Sequence, residues 1–111
     1  MQRSITYLPV KSKDDVTHLR VDVYYSQGGY NLSTYQEEQR GYYLSVSPVS
    51  RSKLGDANTE RYLAFSGRKR LLLPVNRKSP KRYETALQLA QESRRKLIDI
   101  VCQEQGLELM E

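Results

Sequence analysis

The chain lacks most of the residue types from which catalytic and metal sites are built. It contains one cysteine, one histidine and no tryptophan in 111 residues. A single cysteine excludes an intrachain disulfide, and no cluster of histidine, cysteine or carboxylate side chains has the spacing of a metal site. A nucleophilic pair would require His18 and Cys102 to meet, and nothing in the pattern indicates that they do. We therefore predict a protein that is not an enzyme and that needs no metal or cofactor.

Long apolar runs are missing as well. The sequence has no early apolar segment of signal-peptide length and no stretch that could span a membrane. Together with the single cysteine, this predicts a cytoplasmic protein without a membrane partner. The hydrophobic share is 38%, which gives a lean core for a chain of this size, so burial against a partner would help it.

Acidic residues are absent from residues 61–82, although this block holds eight basic ones. Residues 1–60 carry seven charges of each sign, and residues 83–111 carry three basic and six acidic groups, so the block sets the net charge of +5. A concentrated positive field attracts polyanions, of which nucleic acid is the commonest in a cell. An ordinary solvated surface and a site for an acidic protein remain as alternatives.

The pattern of apolar residues predicts one domain over residues 1–111. Residues 1–16 are expected to form an N-terminal arm that could add a short strand. Thr17–Tyr25 and Tyr42–Val49 alternate with period two, which is typical of half-buried strands, and Pro48 should end the second or mark an edge position. Between them lies a connection of 14 residues, 26–39, which is long for a hairpin and is either functional or mobile.

Two shorter strands and a long helix follow. Arg61–Ser66 alternates like a strand, and Lys69–Val75 is a fourth strand or, alternatively, a single helical turn. Ser79 and Pro80 have the character of a helix cap and first helical position, and Gly106 is the expected stop. The fold class predicted is α+β: a three- or four-stranded antiparallel sheet, within residues 17–75, packed on one long C-terminal helix, residues 80–105.

The length of this helix predicts an oligomer. About 26 residues span roughly 39 Å, whereas a six-residue strand spans only about 20 Å. A sheet of short strands cannot cover so long a helix. We expect the segment from Leu97 to Val101, and the tail from Leu107 to Met110, to pack on another subunit, which makes a homodimer the simplest assembly.

The candidate site follows from the basic block. Seven side chains at a hairpin tip and around the helix start are predicted to hold phosphates: Arg68, Lys69, Arg70, Arg77, Lys78, Lys81 and Arg82. Tyr24 and Tyr43 occupy the polar side of their strands and could stack bases, a mode that favours single strands. The alternative is that tyrosine serves here only as a good strand former. If six or more of the basic groups contact phosphate, affinity should fall about 10³–10⁵-fold between about 50 and 200 mM salt.

Three stretches resemble a group of small uncharacterised proteins associated with mobile elements of gut Firmicutes. They are GGYNLSTYQEEQRGYYLSVSPVSR, FSGRKRLLLPVNR and LAQESRRKLIDIVC, and the resemblance covers about residues 20–102. It implies a bacterial cytoplasmic setting and transfers no functional residue. The order of strands followed by one long helix is also similar to the whirly and coactivator-type single-strand DNA binders, which act as dimers or higher assemblies.

Two functions are thus expected to compete. The first is a non-enzymatic nucleic-acid-binding accessory protein of a bacterial mobile element, preferring single strands. The second is a protein-interaction module that uses the long helix and the tyrosine-rich loop at residues 26–39, with the basic block meeting an acidic partner.

Overall fold

The structure, a computed structural model, describes residues 3–31, 36–53, 60–64 and 67–110. Seven strands precede one helix in the described chain. In order, they are β1 (Arg3–Lys13), β2 (Val16–Ser26), β3 (Gly29–Asn31), β4 (Gln36–Glu38), β5 (Gly41–Lys53), β6 (Glu60–Ala64), β7 (Lys69–Leu72) and α1 (Arg82–Gln105). The predicted α+β class, with an antiparallel sheet and one long C-terminal helix, is confirmed.

The main sheet is antiparallel throughout. β1 pairs with β2, and β2 pairs with β5. The edge of β5 that faces away from β2 is shared by two strands. β7 pairs with Tyr43–Val46, and β6 pairs with Val49–Lys53. Lys69–Leu72 is therefore a strand rather than a helical turn. In the predicted third strand, residues 61–64 are extended as part of β6, while Phe65 and Ser66 lie outside the described residues.

β5 continues through Pro48, where the sequence predicts an end or an edge. Pro48 is fully buried and lies opposite Leu19 of β2. On the other edge the pairing passes from Val46, opposite β7, to Val49, opposite β6. Pro48 thus falls between two partner strands, a position where a missing N–H interrupts neither ladder on that edge. The strand reaches 13 residues, about 43 Å at the usual rise.

Residues 3–13, expected to be an arm with at most a short strand, form the 11-residue strand β1. Its outer edge also receives the C-terminal tail. The Lys11 N–H donates to the Glu108 carbonyl at 2.9 Å, and the Met110 N–H donates to the Pro9 carbonyl at 3.0 Å. The tail, predicted to reach another subunit, therefore pairs with the chain's own first strand.

The core lies between α1 and one side of the sheet. α1 packs mainly on β5. Its buried residues fit against the apolar residues of β2 and β5, and the helix contributes Ala86, Ala90, Ile98 and Val101. Ile98 is only 3% exposed, and Val101 is 0% exposed. The far end of the helix is thus buried within the chain.

The length argument for an oligomer does not hold. It assumed six-residue strands, whereas β1 and β2 have 11 residues each and β5 has 13. Strands of that length match α1, whose 24 residues span about 36 Å. The sheet can therefore cover the helix without a second subunit.

The two ends of α1 differ in how well the sequence predicts them. The helix begins at Arg82 with Lys81 as its N-cap residue, and no side chain caps it. The predicted cap at Ser79 is wrong, because Ser79 belongs to a preceding turn in which its N–H donates to the Asn76 carbonyl at 3.1 Å. Gly106 ends the helix as predicted, with a left-handed φ of 64° that glycine adopts at little cost.

The long connection at residues 26–39 contains a small hairpin. β3 and β4 form a separate two-stranded sheet, in which Tyr30 lies opposite Glu37. Residues 32–35 lie outside the described residues. Glu38, at the end of β4, returns the chain to the main sheet and proves important for the basic block.

Candidate functional site

The first half of the basic block, Arg68–Arg70, is held by the protein itself. The Arg68 Nε donates to the Ser45 hydroxyl at 2.8 Å, and its Nη2 donates to the Tyr24 hydroxyl at 2.7 Å. The Arg70 guanidinium forms an ion pair with Glu38. These two arginines therefore lie over the side of the sheet that faces away from the helix, instead of projecting from a hairpin tip.

Lys69 is engaged more loosely. Its Nζ lies 3.3 Å from a carboxylate oxygen of Glu104, near the end of α1, and both side chains are about half exposed. Exposed ion pairs of this kind contribute little, typically 0–1 kcal/mol. Lys69 can exchange this partner for another anion at low cost, but its field is partly neutralised as it stands.

Glu38 is the carboxylate that neutralises the block most effectively. Its side chain is 8% exposed. Besides its ion pair with Arg70, it accepts hydrogen bonds from the Ser26 hydroxyl at 2.7 Å and the Tyr24 hydroxyl at 3.3 Å. No local pattern indicates this role, since Glu37 and Glu38 look like solvated loop residues and Glu38 lies 32 positions before Arg70.

Tyr24 and Tyr43 stack on each other. Their ring centroids are 5.7 Å apart with an interplanar angle of 19°. The Arg68 guanidinium lies 5.7 Å from the Tyr24 centroid, and the Arg70 guanidinium lies 5.3 Å from that of Tyr43. Tyr43 is only 6% exposed, so the prediction that it offers a stacking surface for a base is wrong. The ring of Tyr24 is similarly occupied by its neighbours.

The side of the sheet that faces away from α1 is therefore a polar layer covered by the protein's own side chains. Asp22 is 3% exposed and pairs with Arg3 of β1, and hydrogen bonding to this carboxylate raises the pKa of the Arg3 guanidinium. Ser45 and Ser47 are also buried. The alternation along β2 and β5 predicted a polar side correctly, but arginine side chains cover it, which alternation alone cannot indicate.

The second half of the basic block remains accessible. Arg77, Lys78, Lys81 and Arg82 are all exposed. Arg77, Lys78 and Lys81 belong to the segment that joins β7 to α1, and Arg82 is the first residue of α1. Within this segment the Lys78 N–H donates to the Asn76 side chain at 3.0 Å and shapes a tight turn. We call these four residues the basic turn. Of the seven predicted phosphate contacts, these four lie on an open surface.

A cavity adjoins the basic turn. It has a volume of about 360 Å³ and is lined by Arg77 and Arg82 from the basic turn and by Arg40, the residue that precedes β5. We call it the arginine cavity. Its other lining residues are Tyr25, Gln39, Gly41, Tyr42, Leu72, Leu73, Pro74 and Val75, so that none of the described lining residues is acidic. Three arginines are thus brought together over a partly apolar, partly aromatic wall.

Hydrogen bonding and ring packing organise the aromatic wall of the cavity. The Arg40 Nε donates to the Tyr25 hydroxyl at 2.7 Å. The rings of Tyr25 and Tyr42 meet edge to face with centroids 5.0 Å apart. The ring of Tyr42 also packs against that of Tyr83 in α1, with centroids 6.5 Å apart. Arg40, Tyr25 and Tyr42 were not predicted as site residues. The pairing of β2 with β5 places Tyr25 beside Tyr42, and the pairing of β5 with β7 brings both beside the basic turn.

The two residues considered for catalysis, His18 and Cys102, lie on β2 and on α1. His18 Nδ1 lies 2.9 Å from the Thr17 hydroxyl in β2. The Cys102 thiol lies on α1, where burial raises its pKa, the opposite of the shift that makes a thiol nucleophilic. Within the described residues, no group of three or more potential metal ligands is found.

In the described part of the chain, no helix combines the length and the apolar character needed to cross a membrane. Comparison of the chain with protein families, with curated proteins and with solved structures returns no match.

Proposed function

We propose that the protein is a nucleic-acid-binding accessory protein without enzymatic activity, which binds single strands through the arginine cavity and the basic turn. The observation that supports this most directly is the composition of the cavity. Three arginines line it, two tyrosines form part of its wall, and no carboxylate is among its described lining residues. Guanidinium groups bind phosphate through paired hydrogen bonds, and aromatic rings bind bases.

The size of the cavity favours a single strand. About 360 Å³ lies near the lower end of the range for small-ligand pockets. Such a volume can accept one unstacked nucleotide, but it cannot accept a base pair within a duplex. The exposed cations of the basic turn would continue the contact along the neighbouring phosphates, with affinity that depends strongly on salt.

Compared with the interface expected from the sequence alone, the proposed one is smaller and displaced. Arg68, Arg70, Tyr24 and Tyr43 support the sheet, and Arg40, Tyr25 and Tyr42 replace them as contact residues. The bacterial, cytoplasmic, mobile-element setting stays part of the proposal. A homodimer through the helix does not, because the apolar side of α1 is buried within the chain.

The competing function, a protein-interaction module, retains one supporting feature. Tyr30, in the small hairpin of the long connection, is 59% exposed. The long helix, however, offers a partner only its polar side. Nucleic acid that co-purifies with the protein from cells lysed without nuclease would favour the first function, and a clean protein that captures one acidic partner would favour the second.

A binding titration tests the proposal. Fluorescence anisotropy would compare a labelled single strand of about 16 nucleotides with the same sequence as a duplex. We expect tighter binding of the single strand. The double variant Arg77→Gln/Arg82→Gln should weaken binding, whereas the matched control Arg95→Gln/Lys96→Gln should not. The control removes the same charge from α1, about 20 Å along the helix from Arg82. Equal weakening by both variants, or no binding by the unmodified protein, would contradict the proposal.

A further inference from the structure

The arginine cavity contains more positive charge than one internal phosphate requires. A phosphodiester within a strand carries one negative charge, whereas Arg40, Arg77 and Arg82 bring three positive charges to one cavity. A terminal phosphomonoester carries about −1.5 to −2 at neutral pH and presents three strong acceptor oxygens. The charge of a phosphomonoester and its three acceptor oxygens match three guanidinium groups better than the single charge of a phosphodiester does.

The uncharged lining residues of the cavity fit the rest of a nucleotide. Tyr25 and Tyr42 present aromatic carbon, and Leu72 and Pro74 add aliphatic carbon. A planar base packs favourably on such a surface, at about 1–3 kcal/mol per base for aromatic stacking. The cavity therefore offers a cationic region and an apolar region within a volume of one nucleotide.

We propose that the arginine cavity binds the terminal, phosphorylated nucleotide of a single strand, with the phosphomonoester held by Arg40, Arg77 and Arg82 and the base against Tyr25 and Tyr42. The inference depends on the proposed function, because it assigns the end of the strand to the cavity and the following phosphates to the basic turn. A free nucleoside monophosphate presents the same chemical groups, and the experiment below distinguishes it from the end of a strand.

The pH dependence of binding belongs to the ligand. The charged residues that line the cavity are three arginines, and no histidine or carboxylate is among its described lining residues. The second ionisation of a phosphomonoester occurs near pH 6. Affinity for a phosphorylated end should therefore rise as the pH increases through about 6, while affinity for a hydroxyl end should not change there.

The experiment compares oligonucleotides of one sequence with a 5′-phosphate, a 3′-phosphate or hydroxyls at both ends. We expect one phosphorylated form to bind at least about tenfold more tightly than the hydroxyl form, as one added charged hydrogen-bonded contact implies. Arg40→Gln should abolish that difference, and Arg95→Gln should preserve it. Thermal unfolding of both variants checks that each is folded.

Each other outcome has a defined meaning. If all three strands bind equally well, the inference is wrong and the proposed function stands. If no strand binds but a nucleoside monophosphate does, the proposed function is wrong and the cavity is a nucleotide site. If inorganic phosphate competes as strongly as the nucleoside monophosphate, the aromatic wall does not bind a base and the inference is wrong.

Discussion

The salt dependence of binding tests which cationic groups contact the strand. Five such groups lie on the proposed interface: Arg40, Arg77, Lys78, Lys81 and Arg82. Each phosphate contact to a single strand contributes about −0.7 to the slope of log affinity against log salt. On a strand with hydroxyl ends, five contacts to five separate phosphates therefore give a slope of about −3.5, and a fourfold rise in salt, from about 50 to 200 mM, should weaken binding roughly 100-fold.

The variant Arg77→Gln/Arg82→Gln lowers the expected slope to about −2.1, which leaves a loss of roughly 20-fold over the same salt range. The control Arg95→Gln/Lys96→Gln should retain the slope of the unmodified protein. Anisotropy titrations at four or more salt concentrations would measure both slopes. The sequence alone suggested a loss of about 10³–10⁵-fold, because it counted Arg68, Lys69 and Arg70 as contacts.

Two results would refute this reasoning. A slope near −4.9, which corresponds to about seven contacts, would mean that the two arginines held by Glu38 and Tyr24 leave the sheet and bind the strand. A slope that is identical in the double variant and in the unmodified protein would mean that the basic turn does not touch phosphate.

Three further predictions concern the fold. Glu38→Gln should lower the free energy of unfolding by about 1.5–3 kcal/mol, because it removes a buried charged hydrogen-bond acceptor. The control Glu37→Gln, at the exposed neighbour, should leave that free energy unchanged. Equal denaturant midpoints for the two variants would contradict this prediction. Ile98→Ala should cost about 2–5 kcal/mol, with a Tm that does not depend on protein concentration; a concentration-dependent Tm would restore an oligomer through the helix. The Glu108 carboxyl should titrate with a pKa below the ordinary value, because Lys11 donates to it, and Lys11→Gln should return that pKa to normal in an NMR titration. Since the folded pKa is lowered, any stabilisation from this exposed pair is present above the ordinary carboxyl pKa and is lost as the pH falls through the lowered value.

Local patterns in the sequence were sufficient for the class of the fold. Alternation of apolar residues in β2 and β5 located two strands, because successive side chains point to opposite sides of a strand. Gly106 indicated the end of the helix, because the left-handed backbone conformation that ends many helices is costly for residues other than glycine. The length of β5 was underestimated, because proline usually ends a strand. Pro48 is tolerated inside β5 because it lies between the segment that pairs with β7 and the segment that pairs with β6.

The sequence by itself determined that the chain is α+β, that one long helix lies near its C-terminal end, and that positive charge is concentrated in residues 61–82. Only the tertiary structure decided which of those charges are accessible. Glu38 pairs with Arg70 across 32 residues, and Arg40 joins Arg77 and Arg82 in one cavity. The physical reason is that electrostatic neutralisation depends on distances of a few ångströms in space, and strand pairing, not position along the chain, sets those distances.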